Sequence, residues 1–310
     1  MSAPSVSPRV GRKTPTKCMT ILLFLLPGLA LYLLFVLFPI VQAAHYSLYK
    51  WNGLQQLTDF IGLKNYGTAF ASDAFRTAMS NNALIIVLSL AIQIPFSLAL
   101  AVLLNRRFRG RAVFRLIFFL PYVLSEAITG VVFSLMLQPD SIVDKSMQTA
   151  GLGGLVQDWL GDPGFVMITM FIIISWKYFG FHMILLLAGL QGIPREIEEA
   201  AFIDGAGRWQ TFRHITLPLL GPTLRVSVFL SMIGALQLFD MIWVMTGGGP
   251  VGSSNTMAIL MFKAGIKDSQ MGYGSALAVI LFLLALVLAL AYQRFVLRRD
   301  VEGAGTAFNG

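Results

Sequence analysis

The chain has 310 residues, 56% of them hydrophobic and 12% charged, with a mean hydropathy of +0.73; soluble proteins carry about a quarter charged residues. That balance excludes an ordinary soluble domain and points to a membrane protein. The single cysteine, Cys18, excludes an intrachain disulfide, and no paired Cys/His spacing suggests zinc.

Taken in chain order, a basic tail (1–18) with Arg9, Arg12, Lys13 and Lys17 precedes a first apolar window at 19–41. Lys17 before an apolar run and "VQA" at 41–43 imitate a secretory signal. The run exceeds the roughly 7–15 residues of a signal core, however, so an uncleaved span is expected. Further windows follow at 82–104, 116–137, 165–191, 226–246 and 276–297, before a basic tail at 298–310. Each reaches or approaches the ~20 residues that cross a bilayer. Backbone groups inside hydrocarbon must bond internally, so all six are expected to be helical, with Pro27, Pro95 and Pro121 as kinks. The fold class is an all-α, six-span membrane bundle.

Charge gives the bundle a sidedness. With the N-terminus inside, sixteen lysines and arginines fall on the inner side and six on the outer, while Lys177 lies within the fourth span. That bias predicts cytoplasmic N- and C-termini. The net charge of +8 then reflects topology and lipid contact, and no aromatic-interleaved basic run points to nucleic acid.

Between the fourth and fifth windows, residues 194–222 read as a jointed loop. Gly192 interrupts the span, and Pro194 is expected in the first turn of a new helix. Glu196, Glu198 and Glu199 fall early in that helix, where carboxylates suit the positive end of the dipole. Gly205 is expected to stop it in a left-handed conformation, and Asp204 to cap the next piece. There Trp209, Phe212 and Ile215 form an apolar stripe expected to pack under the membrane helices, and Pro218 is expected to end the piece.

Glu199, Ala200, Ala201, Asp204, Gly205, Ala206, Phe212, Ile215, Leu217, Pro218 and Pro222 stand as in the EAA loop of bacterial ABC-importer permeases. "FIGLKNY" from Phe60, "LLNRRFRG" from Leu103, "LAGLQGIP" from Leu187 and "FDMIWVMTGGGP" from Phe239 resemble the carbohydrate-uptake branch of that family, in particular its maltose-type first permease subunit. The similarity covers roughly residues 20–297. It implies a type I importer permease fold in the bacterial cytoplasmic membrane. It also implies a coupling helix that enters a cleft of a cytoplasmic ATPase. Glu196, Glu199, Ala200, Ala201, Asp204, Gly205, Ala206, Ile215 and Pro218 would lie at that joint, Glu199 pairing with a basic residue, the alanines allowing close fit and Gly205 the bend. The implied partners are a second homologous permease, two ATPase subunits that hold ATP and Mg, an extracytoplasmic sugar-binding protein and a di- or oligosaccharide. Glycerol phosphate or a polyol is the alternative solute, and an ion-coupled secondary transporter the alternative class.

The sequence holds no G-x-x-x-x-G-K-[ST] phosphate loop, nucleophile elbow or HExxH pair, so no catalytic residue, metal site or resident cofactor is expected in this chain. Ionisable groups within spans tend to face a bundle interior or a water-filled path. Glu126, Lys177, His182 and Asp240 are such groups, and Lys177 is the one cation that an anionic solute could use. Aromatic faces with a few directed polar groups suit a neutral sugar. Trp176, Tyr178, Gln237, Phe239, Asp240 and Trp243, with Glu126, are therefore the candidate cavity. Leu236, Asp240 and Trp243 are expected to stack on one helix face.

Overall fold

The computed structural model describes residues 15–106 and 108–297. Residues 1–14, Arg107 and 298–310 lie outside the described residues, including Arg9, Arg12, Lys13, Arg298 and Arg299 of the basic tails. Apart from one isolated bridge between Tyr49 and Phe60, the regular structure described is helical.

Helix α1 starts at Pro15 and ends at Tyr46. After α2 (Lys64–Ala71) come α3 (Asp73–Asn105), the half-helices α4 (Arg111–Val123) and α5 (Glu126–Met136), and α6 (Ile142–Thr149). The long α7 (Val166–Gln191) leads into α8 (Arg195–Ile203) and α9 (Arg208–Leu219). Then follow α10 (Gly221–Gln237), α11 (Asp240–Thr246), α12 (Met257–Phe262) and α13 (Met271–Val296).

Four helices are long and apolar enough to cross a membrane unbroken, and six spans result if each of two bent pairs counts as one. One such pair is α4 and α5, bent by 93°, and the other α9 and α10, bent by 67°. The expected fifth span, 226–246, is not one helix, because α10 stops at Gln237 and Leu238–Phe239 separate it from α11.

Three of the five π turns among the described residues, Leu33–Leu37, Ser89–Gln93 and Phe212–Thr216, end two residues before a proline: Pro39, Pro95 and Pro218. A proline ring collides with the carbonyl four residues back and supplies no N–H. That carbonyl belongs to Phe35, Ala91 and His214 in turn, the middle of each π turn, where the widened ladder relieves the collision. The helix therefore continues through Pro218 to Leu219, and the expected stop comes at Leu220.

Hydrocarbon gives helices no hydrophobic reason to associate, so close backbone approach and directed polar bonds hold the bundle. At Gly180 a Cβ would sit 1.9 Å from the Phe118 carbonyl oxygen, so α4 packs backbone to backbone on α7. Ser97 Oγ donates to Phe179 O (3.0 Å), joining α3 to α7, and His182 Nδ1 lies 2.8 Å from Ser227 Oγ, joining α7 to α10. Asn82 Nδ2 donates to Ala235 O (2.6 Å) and its Oδ1 accepts from Met257 N–H (2.9 Å), pinning the end of α10 and the start of α12 to α3. In "FIGLKNY", buried Asn65 donates to Ser47 O and Tyr49 O, closing the segment after α1.

Candidate coupling elbow and membrane path

The α8–α9 elbow is fixed by its own backbone. Gly205 has φ +85°, its N–H donates to Phe202 O (3.1 Å), and Ala206 N–H donates to Ala201 O (2.9 Å). This is a Schellman end, which satisfies carbonyls that a helix terminus leaves orphaned. Asp204 therefore caps the end of α8 instead of starting α9; the start is closed by Gly207 N–H donating to Gln210 Oε1 (2.8 Å). Pro194 stands one position before the first helical residue, as N-cap. Thr216 donates to Glu198 Oε1 (2.9 Å), tying the two pieces together.

What the elbow shows to solvent differs from the sequence expectation. Ala201, Thr211 and Thr216 are its buried residues, whereas Ile203 is 86% and Trp209 67% exposed. Trp209 packs on Phe212 (5.6 Å between centroids) and is otherwise turned outward, because the buried side of α9 carries the threonines. Glu196, Glu199 and Ala200 are exposed beside them, while Ile215 is half-buried and Pro218 exposed. A cleft of about 560 Å³ between this elbow and the end of α3 is lined by Arg106, Arg195, Arg208 and Glu199, among others. Asp204, Gly205, Ala206 and Ile215 line a second, shallower depression.

Within the bundle a cavity of about 240 Å³ is lined by Ser89, Gln93, Tyr122, Tyr178, His182 and Ser231 over an apolar remainder that includes Leu230 and Leu238. The π turn of α3 turns both Ser89 and Gln93 into buried positions at this cavity. Of the residues singled out from sequence, Tyr178 and His182 line it. Glu126 is at the break between α4 and α5, where its carboxylate accepts a hydrogen bond from Tyr178 Oη. Beside it Lys177 Nζ donates to Pro121 O (3.4 Å) and to Leu124 O, and is 2% exposed.

The remaining candidates lie elsewhere. Trp176 packs edge-on against Phe133 (5.2 Å) on the outer side of α7. Phe239 and Trp243 stack at 5.8 Å, with Phe262 edge-on to both. Gln237 and Asp240 are exposed and do not line the bundle cavity. The expected stripe of Leu236, Asp240 and Trp243 does not form, since the break at Leu238–Phe239 changes the helical register and leaves Leu236 in the core. Ser89, Gln93 and Ser231 were not singled out from sequence; the signal available was a polar side chain inside an apolar window.

Residues 93–301, two thirds of the chain, match the family described as binding-protein-dependent transport system inner membrane component. The chain belongs to that family. The permease is 39% identical over 274 residues to a probable ABC transporter permease protein of Pyrococcus horikoshii, covering 88% of this chain and 94% of that one. To the trehalose/maltose transport system permease protein of Thermococcus litoralis it is 33% identical, covering 88% and 92%. Its fold is that of the crystal structure of a bacterial ABC transporter involved in alginate import, with a TM-score of 0.79 at 24% identity over 91% of this chain and 96% of that one. It is a multi-pass membrane permease of the ABC-importer type.

Proposed function

We propose that the permease carries a carbohydrate, a di- or oligosaccharide, across the bacterial cytoplasmic membrane by alternating access, driven by an ATPase on separate subunits. The observation that carries this reading is the elbow: a two-helix joint, locked by its own hydrogen bonds, that holds Ile203, Trp209 and Glu199 outward and exposed. An amphipathic helix resting on lipid would favour Lys and Arg on its polar face, whereas α8 carries three glutamates. Two copies of a cytoplasmic ATPase, which hold ATP and Mg, would receive such elbows from this chain and from a second, homologous permease. The chain itself then has no catalytic centre, and both of its termini are cytoplasmic.

The names of the trehalose/maltose and related relatives support a sugar as solute. The cavity at Gln93, Tyr178, His182 and Ser231 has the mixed aromatic and hydrogen-bonding lining of a neutral small-molecule site. Gln237, Phe239, Asp240 and Trp243 lie on the face that the second permease would close, extending the path, with an extracytoplasmic sugar-binding protein delivering the solute. An anionic solute would require a free cation at the path, whereas the Lys177 Nζ, in a pocket it shares with Glu126, is already engaged by two backbone carbonyls.

The elbow reading is tested by co-purification. Glu199→Ala and Trp209→Ala are expected to lower ATPase recovery with the membrane complex at unchanged insertion; full recovery with both variants rejects it. Uptake that survives a protonophore and is lost on ATP depletion separates this reading from an ion-coupled carrier.

A further inference from the structure

We propose that Lys177 is the positioning residue through which movement of the elbow reaches the break in the third span. The inference rests on the ATP-driven reading above and adds a route to it.

The route is continuous. Helix α7 has 26 residues with no proline or π turn, which makes it a strut of roughly 39 Å. Only Gly192, Ile193 and Pro194 separate it from α8. Lys177 lies near its middle and reaches across to α4, where Leu124 ends the half-helix and the chain turns by 93° into α5. The last carbonyls of a helix have no intrahelical donor and carry the negative end of its dipole. The Lys177 ammonium answers the dipole at Leu124 O and adds a charged donor at Pro121 O, which already accepts the Leu124 N–H (3.3 Å). On the far side of the break, Glu126 stands in the first turn of α5, at the positive dipole end, and accepts from Tyr178 on α7. Adjacent residues of α7 thus grip the two sides of the hinge, one by a cation and one by a phenol.

Such a grip transmits displacement. A buried ammonium that loses its acceptors leaves an unpaired charge in an apolar site, at several times the cost of a neutral hydrogen bond. When α7 shifts, the carbonyls of the break therefore follow Lys177. What they move is defined by packing: α5 lies along α11, with Gly130 against Val244 and the Met241 carbonyl, and both half-helices begin at breaks that adjoin the cavity through Tyr122 and Leu238. Lys177 borders an open pocket of about 460 Å³ with Glu126 and Tyr178, but its Nζ is taken up by the two carbonyls and the residue is almost wholly buried.

The test uses the full complex of this permease, its second permease and its ATPase in liposomes, with Cys18→Ser and a reporter Ser125→Cys at the break. The readouts are the ATPase rate and the rate of labelling by a water-soluble maleimide, with and without vanadate-trapped nucleotide. Without further change, trapping is expected to alter labelling by about tenfold, the weight of one charge-assisted hydrogen bond. Lys177→Met should reduce that response to less than about twofold while the ATPase keeps about half its rate or more, and Lys177→Arg should restore it. A full labelling response in Lys177→Met, or no response in the unsubstituted reporter complex, overturns the proposal. If Lys177→Met does not assemble, Lys177→Gln, which keeps amide donors without the charge, is read on the same two axes. Failure of both to assemble marks a folding residue and also overturns it. A complex that assembles but hydrolyses no ATP overturns the importer reading instead, since no Lys177 variant is involved.

Discussion

Gly205 and Asn82 carry more of this fold than their size suggests, and both roles can be measured. A β-branched residue at φ +85° meets the steric penalty of the left-handed region, about 1–2 kcal/mol. Gly205→Val is therefore expected to unseat the Schellman end of α8 and lower ATPase co-purification, while Gly205→Asn, which tolerates that region, keeps most of it. Asn82→Leu strips partners from the Ala235 carbonyl and the Met257 amide, both buried, at about 1–3 kcal/mol each. The expected result is a lower midpoint of thermal unfolding in detergent, with Asn82→Gln intermediate. Gly205 was legible from sequence, because a glycine after a short amphipathic run has one common use. Asn82 was not: it reads as the polar first residue of an apolar window, and its partners are 153 and 175 positions away.

For whole elements, hydrophobicity gives length and conceals continuity. The windows at 116–137 and 226–246 are apolar throughout, yet each contains a break, at Leu124–Ser125 and at Leu238–Phe239. Breaks inside a membrane require alternative partners for the freed backbone groups, and these come from other helices: Lys177 at the first, Asn82 and Thr256 at the second. No local pattern announces a donor supplied from elsewhere, so the expected stripe on span five was placed on a helix that does not exist. The π turns before Pro39, Pro95 and Pro218 were open to reading, since a proline disturbs the ladder four residues back; those at Lys263–Lys267 and Gln293–Leu297 carry no such signal. Helix packing gives a further prediction. Gly180→Ala places a methyl 1.9 Å from the Phe118 carbonyl oxygen, a backbone atom that cannot rotate away. Overpacking of this kind costs about 1–3 kcal/mol, and reduced recovery of folded permease by size-exclusion chromatography would show it.

In the molecule as a whole, cohesion is uneven. None of the most apolar stretch of α1 is buried, and its contacts gather where Phe38–Tyr46 meets α13, whereas more than half of the corresponding stretch of α7 is buried. Leu→Ala changes at Leu25, Leu29 and Leu33 are thus expected to alter the stability of the isolated chain by no more than about 0.5 kcal/mol each. In the proposed heterodimer the same changes should lower recovery of the second permease, measured by affinity pull-down of tagged chain; unchanged recovery would assign that surface to lipid. The family and the general architecture were legible because they depend on spacing and composition. Which faces remain open was not, because openness belongs to the assembled shape.

The turn at Gly205 is made by main-chain bonds, and the side chains that brace it, Glu198, Gln210 and Thr216, are not the ones it displays. Ile203, Trp209 and Glu199 can consequently be exchanged as a set without remodelling the hinge beneath them. Grafting another permease's outward residues onto this scaffold should redirect it to a foreign engine: mating specificity and lever geometry are separately editable here.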